Sequence, residues 1–257
     1  MTDLCYVYAV TLPFGTALPQ DVRGVGGARP QLLIHDGLTA VVSAVPAEDF
    51  HGEALRAHLE DLDWLTATAR GHEAVIGALA QVTTPLPLRL ATVCHDHDGV
   101  RRLLDSGREQ FVRSLDRLDG RVEWGVKVYA DDGAAEAPRD DRASGDAPAN
   151  GRDYLRQRLR RREAGQSRWS EAVTLSHTLH AKLTRLAEAG LVHHPQDARL
   201  PGVPRGNVLN AAYLVPRERS EAFVAEVGRL APAGRGVRLE LTGPWAPYSF
   251  AREVDEV

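Results

Sequence analysis

Arg121-Val122-Glu123-Trp124-Gly125-Val126-Lys127-Val128-Tyr129-Ala130 alternates along its length, with Val122, Trp124, Val126 and Val128 on one side and Arg121, Glu123, Lys127 and Tyr129 on the other. A period of two sustained this long is a strand with one buried face. The elements downstream of it decide the fold. Helical patterns occupy 152–163 and 168–189, then come a short strand at 191–194, an apolar strand at 207–215, a helix at 218–230 and an alternating strand at 236–242. Strand, helices, strand, strand, helix, strand is the split βαβ order of a ferredoxin-like domain, with an extra helix in the first crossover. Residues 207–215 are apolar on both faces and belong at the centre of the sheet. The last strand is expected to stop at Gly243-Pro244, where one residue frees φ and the next fixes it.

Upstream, residues 4–10 read as a strand and 13–30 as a Gly/Pro-rich loop whose Gly24, Gly26 and Gly27 permit positive φ. Strands at 31–34 and 38–45 flank His35-Asp36-Gly37, a hairpin turn signal. Apolar residues at Leu55, Leu59, Leu62, Leu65, Ala69, Ile76 and Leu79 predict one long amphipathic helix over 53–80, roughly 40 Å long. Residues 85–94 read as one strand, with prolines only at its start, and 100–118 as a helix stopped by Asp119-Gly120. The chain is thus expected to be α+β with two domains. Residues 1–118 form an N-terminal α+β domain, and 119–257 a modified ferredoxin-like domain with extra helices. Within the second, residues 131–150 hold six acids, two arginines and almost no large apolar group, and are predicted to be a disordered insertion.

Bulk properties narrow the function. The 257 residues are 43% hydrophobic and 26% charged, enough for one large or two modest cores. A net charge of −4 gives no global reason to bind nucleic acid or anionic lipid. The longest apolar runs are strand-length and Asp3 stands where a signal peptide would be basic, so neither a membrane span nor a leader is expected. Cys5 and Cys94 fall in apparent strands as small hydrophobes, and a reducing cytosol is the default setting.

Few clusters could carry chemistry. In extended backbone His95 and His97 point the same way, and with Asp98 they suggest a metal-dependent hydrolase. The same run sits between a strand and a helix, where Asp98-Gly99 serves as an N-cap, and no further ligand pair completes a site. Seven arginines between 152 and 168 suggest an RNA-binding module, but aromatic interleaving is limited to Tyr154 and Trp169, and a solvated helix face is the simpler reading. His72 lies on the apolar helical stripe, as a packed or partner-facing histidine. Arg89 sits among apolar neighbours and needs an acidic or carbonyl partner, in a salt bridge or a binding surface. Trp245, Tyr248 and Phe250 surround Pro247 in a rigid aromatic tail that plugs the protein's own core or docks a partner. Glycines 24, 26 and 27 lack the Lys-Ser/Thr of a phosphate loop. No catalytic, cofactor or metal residue set is expected.

Several strings, taken in order, resemble one family, the gas vesicle accessory proteins F and L (GvpF/GvpL). They are Tyr6-Val7-Tyr8, residues 38–43, Leu62-Asp63-Trp64-Leu65 with Arg70-Gly71-His72-Glu73, Pro87-Leu88-Arg89 with Thr92, Gly120-Arg121-Val122-Glu123-Trp124-Gly125-Val126-Lys127, residues 207–215 and residues 241–250. Leu90-Ala91 departs from the family, which tends to have Phe-Gly there. The resemblance implies a non-enzymatic, cytoplasmic protein of two α+β domains that is needed to build gas vesicles. Its implied partners are the small hydrophobic shell protein and other gas vesicle accessory proteins, with no cofactor, nucleic acid or membrane. Protein binding would fall on His72, Arg89, Trp245, Tyr248 and Phe250, and mainly on the first domain's sheet and long helix.

Overall fold

The computed structural model describes residues 3–130, 151–193, 206–231 and 237–251. The acidic insertion expected at 131–150 lies outside the described residues, as does His194 at the end of an expected strand. Contacts divide the chain into two units, Met1–Glu123 with Pro244–Val257, and Trp124–Gly243. The aromatic tail, expected in the second domain, therefore belongs to the first unit.

The first unit is built on β1 (Asp3–Thr11), which is buried from Tyr6 to Thr11. It pairs antiparallel with β3 (Leu38–Pro46), which pairs in turn with β2 (Gln31–His35). The β2–β3 turn is as predicted: Asp36 (φ 44°) and Gly37 (φ 78°) supply the two positive φ values a tight hairpin needs. On its other edge β1 meets two short antiparallel strands, β4 (Leu86–Pro87) and β5 (Val93–Cys94). These replace the single strand expected over 85–94. Between them the chain turns out of the sheet, with Ala91 at φ 62° and the Arg89 carbonyl accepting from the Thr92 amide and hydroxyl. Arg89 is consequently exposed on a turn instead of lying within a strand.

The long helix expected over 53–80 is broken. Its span holds α2 (Gly52–Glu60) and α3 (Leu62–Val82), preceded by a single turn, α1 (Ala47–Phe50). Asp61 leaves helical geometry, and its carboxylate accepts from the amides of Asp63 (2.9 Å) and Trp64 (3.2 Å), an N-cap that restarts the helix. Leu59 and Leu62 beside the break are exposed, whereas Thr68, His72, Val75, Ile76 and Leu79 are buried. The helix expected over 100–118 also divides, into α4 (His97–Ser106) and α5 (Arg108–Leu118). They part at Gly107, where a Cβ would fall 2.6 Å from the Phe111 ring. The α5 stop at Gly120 (φ 68°) is as expected.

The second unit confirms the strand order. The sheet runs β7 (Ala189–Val192), β8 (Asn207–Pro216), β6 (Arg121–Ala130), β9 (Val237–Trp245), with second and third strands on one side of the first and the fourth on the other. That is the ferredoxin-like arrangement. The strand expected at 191–194 begins two residues earlier. The two helices expected in the first crossover are one, α6 (Gly151–Leu183), since the exposed face around Gly165 tolerates the glycine at a cost of about 1 kcal/mol. The second crossover helix is α7 (Ser220–Leu230). β9 continues past Gly243 to Trp245, because an edge strand does not need the amide that Pro244 lacks. The core of this unit gathers Trp124, Tyr213 and Phe223, with the Trp124 indole N–H donating to Ser220 Oγ at 3.2 Å.

Two glycines of α3 make a matched test. A Cβ on Gly71 would lie 2.9 Å from backbone atoms of Gly24 and Val25, whereas one on Gly77 meets nothing within 4 Å. Gly77→Ala is expected to stabilise by about 0.5–1 kcal/mol through helix propensity. Gly71→Ala is expected to destabilise by about 1–3 kcal/mol through overpacking. Urea unfolding of the two variants checks both signs.

Candidate functional site

Helix α3 lays Ala69, His72 and Glu73 along one wall of a pocket of about 460 Å³. The end of β4 and the turn after it supply Pro87, Leu88, Arg89 and Leu90, and the tail supplies Tyr248, Ser249 and Ala251. All of these belong to the first unit. Three strings far apart in sequence, Gly71-His72-Glu73, Pro87-Leu88-Arg89 and Pro247-Tyr248-Ser249, thus meet at one place. A fourth seats the tail: Glu123 accepts from the Ser249 amide at 2.8 Å and from its hydroxyl at 2.7 Å.

Behind the pocket two tyrosines carry the polar network. Tyr8 Oη accepts the Val25 amide (2.9 Å) and bonds Ser43 Oγ (2.6 Å). Gly24 permits this contact, because a Cβ there would sit 2.1 Å from the Tyr8 hydroxyl. Its φ of −98° shows that closeness, not the positive φ expected from the loop's composition, is what needs glycine. Gly26 and Gly27 do take positive φ. Tyr6 Oη accepts the Ala91 amide (3.0 Å) and lies 3.0 Å from His72 Nδ1. The phenol has one proton to donate and Nδ1 is the acceptor at hydrogen-bond distance, so the Tyr6 hydroxyl is assigned as donor to Nδ1, which puts the imidazole proton on Nε2.

The site is electrostatically quiet. Burial lowers the His72 pKa to about 4, so the ring is neutral at neutral pH. Burial pushes the Tyr6, Tyr8 and Tyr248 phenols above their ordinary range, with the Glu73 carboxylate adding to the effect at Tyr248. The Tyr248 hydroxyl lies beside Glu73 without a hydrogen bond of normal geometry, and it and His72 Nε2 are buried with no acceptor among the described residues. Glu73 and Arg89 are exposed, and Leu88 and Leu90 half-buried. The cavity therefore offers an apolar body, a rim bearing both charges, and donors in its wall.

Of the residues singled out by sequence, His72, Arg89 and Tyr248 come together here. Phe250 is buried and plugs the core; Trp245 is half-exposed outside the pocket. The sequence reading missed Glu73, an exposed neighbour of His72, and Ser249, whose partner Glu123 is remote in sequence. The His95–Asp98 run is used locally. Asp96, not Asp98, caps α4 by accepting from the Gly99 amide at 2.7 Å, while Asp98 pairs with Arg101. Among the described residues no group of three or more His, Cys, Asp or Glu is placed to hold a metal ion. Arg152, Arg156, Arg158, Arg160 and Arg162 are exposed along α6, and Arg168 is half-buried. No helix among the described residues is long and apolar enough to cross a membrane.

Comparison with known proteins agrees with the strings that meet here. The family described as gas vesicle synthesis protein GvpL/GvpF matches residues 4–252. Gas vesicle protein L of Streptomyces sp. (strain CB03234) is 60% identical over 254 residues, covering 98% of this chain and 94% of that protein. Gas vesicle protein F of the same strain is 30% identical over 265 residues, covering 95% and 98%. The crystal structure of GvpF from Anabaena sp. PCC7120 superposes with a TM-score of 0.65 at 21% identity, covering 97% of this chain and 96% of that one. GvpF from Microcystis aeruginosa gives 0.64 at 19%, covering 98% and 99%. These two structures share the fold.

Burial of His72 makes stability depend on pH. Between pH 6.5 and about 4 the unfolded chain binds a proton at His72 that the folded chain refuses, so stability falls as pH is lowered through that window. Wild type is expected to lose about 2 kcal/mol more than His72→Gln between pH 7 and pH 5 in urea unfolding, and equal losses overturn the assignment. Ala91 holds a left-handed φ of 62°, so Ala91→Gly is expected to stabilise by about 0.5–1 kcal/mol. A thermal melt checks the sign.

Proposed function

The chain belongs to the GvpL/GvpF family of gas vesicle synthesis proteins, and from that premise we propose that it serves gas vesicle assembly in the cytoplasm as a non-catalytic accessory protein that binds the small hydrophobic shell protein. The observation carrying this reading is the convergence of the family-like strings on one pocket instead of on a reactive constellation. His72 is neutral and held in one tautomer by Tyr6, and the phenols around it are held protonated by burial. None is poised for acid–base work near neutral pH. The pocket suits a short peptide segment: Leu88, Leu90, Pro87 and Ala69 accept an apolar side chain, and Glu73 and Arg89 meet the polar groups of its backbone. Leu32 (41% exposed) and Ile34 (68%) on edge strand β2 add apolar surface that a hydrophobic partner would cover. Covering the shell protein before or during growth of the wall would limit its aggregation.

The test uses the full chain with tagged shell protein from the same gene cluster. Wild type is expected to capture it, and Leu90→Asp, which places a charge in the half-buried pocket wall, is expected to weaken capture by tenfold or more, roughly the effect of losing one interface anchor. A melting temperature close to wild type shows that Leu90→Asp is folded. Equal capture by folded Leu90→Asp overturns the pocket as the binding surface. No capture by wild type, together with normal vesicles in a deletion strain, overturns the function.

A further inference from the structure

We propose that Cys5 and Cys94 form a modification site, an opposed thiol pair that closes into an intramolecular cross-strand disulfide on reaction with a low-molecular-weight disulfide. The proposal is independent of shell-protein binding. In the antiparallel pairing of β1 with β5, Cys5 is directly opposite Cys94, and Tyr6 opposite Val93. Directly opposed residues lie about 4.5–5.5 Å apart at Cα, within the roughly 4.4–6.8 Å that a disulfide spans. Both side chains necessarily project from the same face of the sheet. That face meets the start of α4, where a Cβ built on Gly99 would lie 3.2 Å from Cys94 Cβ. Each cysteine is free and half-buried, open to a small reagent. Among the described residues no third metal-ligating side chain is grouped with them, so exchange chemistry is what the pair offers.

The reaction balances with the reagent as oxidant. One protein thiolate attacks the small disulfide, forming a mixed disulfide and releasing one thiol. The opposed cysteine then displaces the second thiol, so the protein loses two hydrogens and the reagent gains them. Burial first, then Asp96 for Cys5, and Cys5 and Asp96 for Cys94, hold both thiols above their ordinary range, partly offset at Cys94 by Arg102. The thiolate is therefore scarce at neutral pH, and the first step is slow.

Position gives the link its consequence. β4 and β5 are two residues each, and the turn between them forms one wall of the pocket. A covalent tie at Cys94 anchors that returning segment to β1, the strand that presents Tyr6 to His72 and Ala91. Oxidation would clamp the wall that two short strands otherwise hold.

The full chain is incubated with excess oxidised glutathione at pH 8 and mapped by non-reducing peptide mass spectrometry. The expected product joins the Cys5 peptide to the Cys94 peptide within one molecule. Its melting temperature is expected to rise by roughly 10 °C, reversed by dithiothreitol, because the link closes a loop of about 90 residues. Cys94→Ser is expected to take up one glutathione at Cys5 and to show no rise. Stable glutathione adducts on both cysteines of wild type, links between molecules, or no reaction at either thiol overturn the proposal. A Cys5–Cys94 link that leaves the melting temperature unmoved overturns the clamp.

Discussion

Two phenols and an imidazole buried against an apolar core have to find hydrogen-bond partners inside it, and the first unit is arranged around that requirement. Leaving any one unmet costs about 1–3 kcal/mol. Tyr8 takes its partners from Ser43 on β3 and from the Val25 amide. The loop can deliver that amide only if its backbone reaches both the phenol and α3, which Gly24 and Gly71 allow by having no side chain. Tyr6 takes the Ala91 amide and His72 Nδ1, which obliges the chain after β4 to leave the sheet, turn and return. The broken edge beside β1, the left-handed Ala91 and the pocket wall all belong to the one segment that meets this buried hydroxyl.

Some of this was legible in the sequence, and the failures have specific causes. β6 and the strand order of the second unit were readable because alternation and turn residues are local signals. So were the hairpin at Asp36-Gly37 and the stop at Gly120. The breaks at Asp61 and Gly107 were missed because apolar spacings of three and four continue across them: Leu59, Leu62 and Leu65 look like one stripe whichever way the helix runs. Only the cap made by the Asp61 side chain and the Phe111 ring over Gly107 separate the pieces. In 85–94 the apolar run hid a turn whose cause lies remote in sequence, at Tyr6. The pocket was invisible for the same reason. His72, Arg89 and Tyr248 were each singled out, but Glu123, which positions Ser249 beside them, acts across 126 residues of sequence.

The polar groups of the site are spent on structure, which bears on what kind of function it can support. A histidine that accepts at Nδ1 from a buried phenol and has its pKa lowered to about 4 neither takes up nor passes on protons at neutral pH. Its remaining N–H, like the Tyr248 hydroxyl, is a fixed donor. Fixed donors beside an apolar cavity select a ligand by shape and by the placement of its acceptors.

Highly specific strings need not mark chemistry at all. Adjacent residues of β6 serve different units: Glu123 holds the tail's Ser249 in the first, whereas Trp124 packs on Phe223 and donates to Ser220 in the second. Gly125 is required beside them because a Cβ there would lie 2.5 Å from Thr242 Oγ1 on β9. Each residue of Glu-Trp-Gly thus has a separate structural reason, and none touches a reacting group. The tail is similar, with Phe250 filling the core and Ser249 bonding Glu123. Glu73, Leu88 and Leu90 stand apart from this pattern: they line the cavity without completing the Tyr6–Tyr8 network. A substitution at Glu123, Trp124, Gly125, Ser249 or Phe250 should therefore act through folding, and, on the proposed reading, one at Glu73, Leu88 or Leu90 through binding.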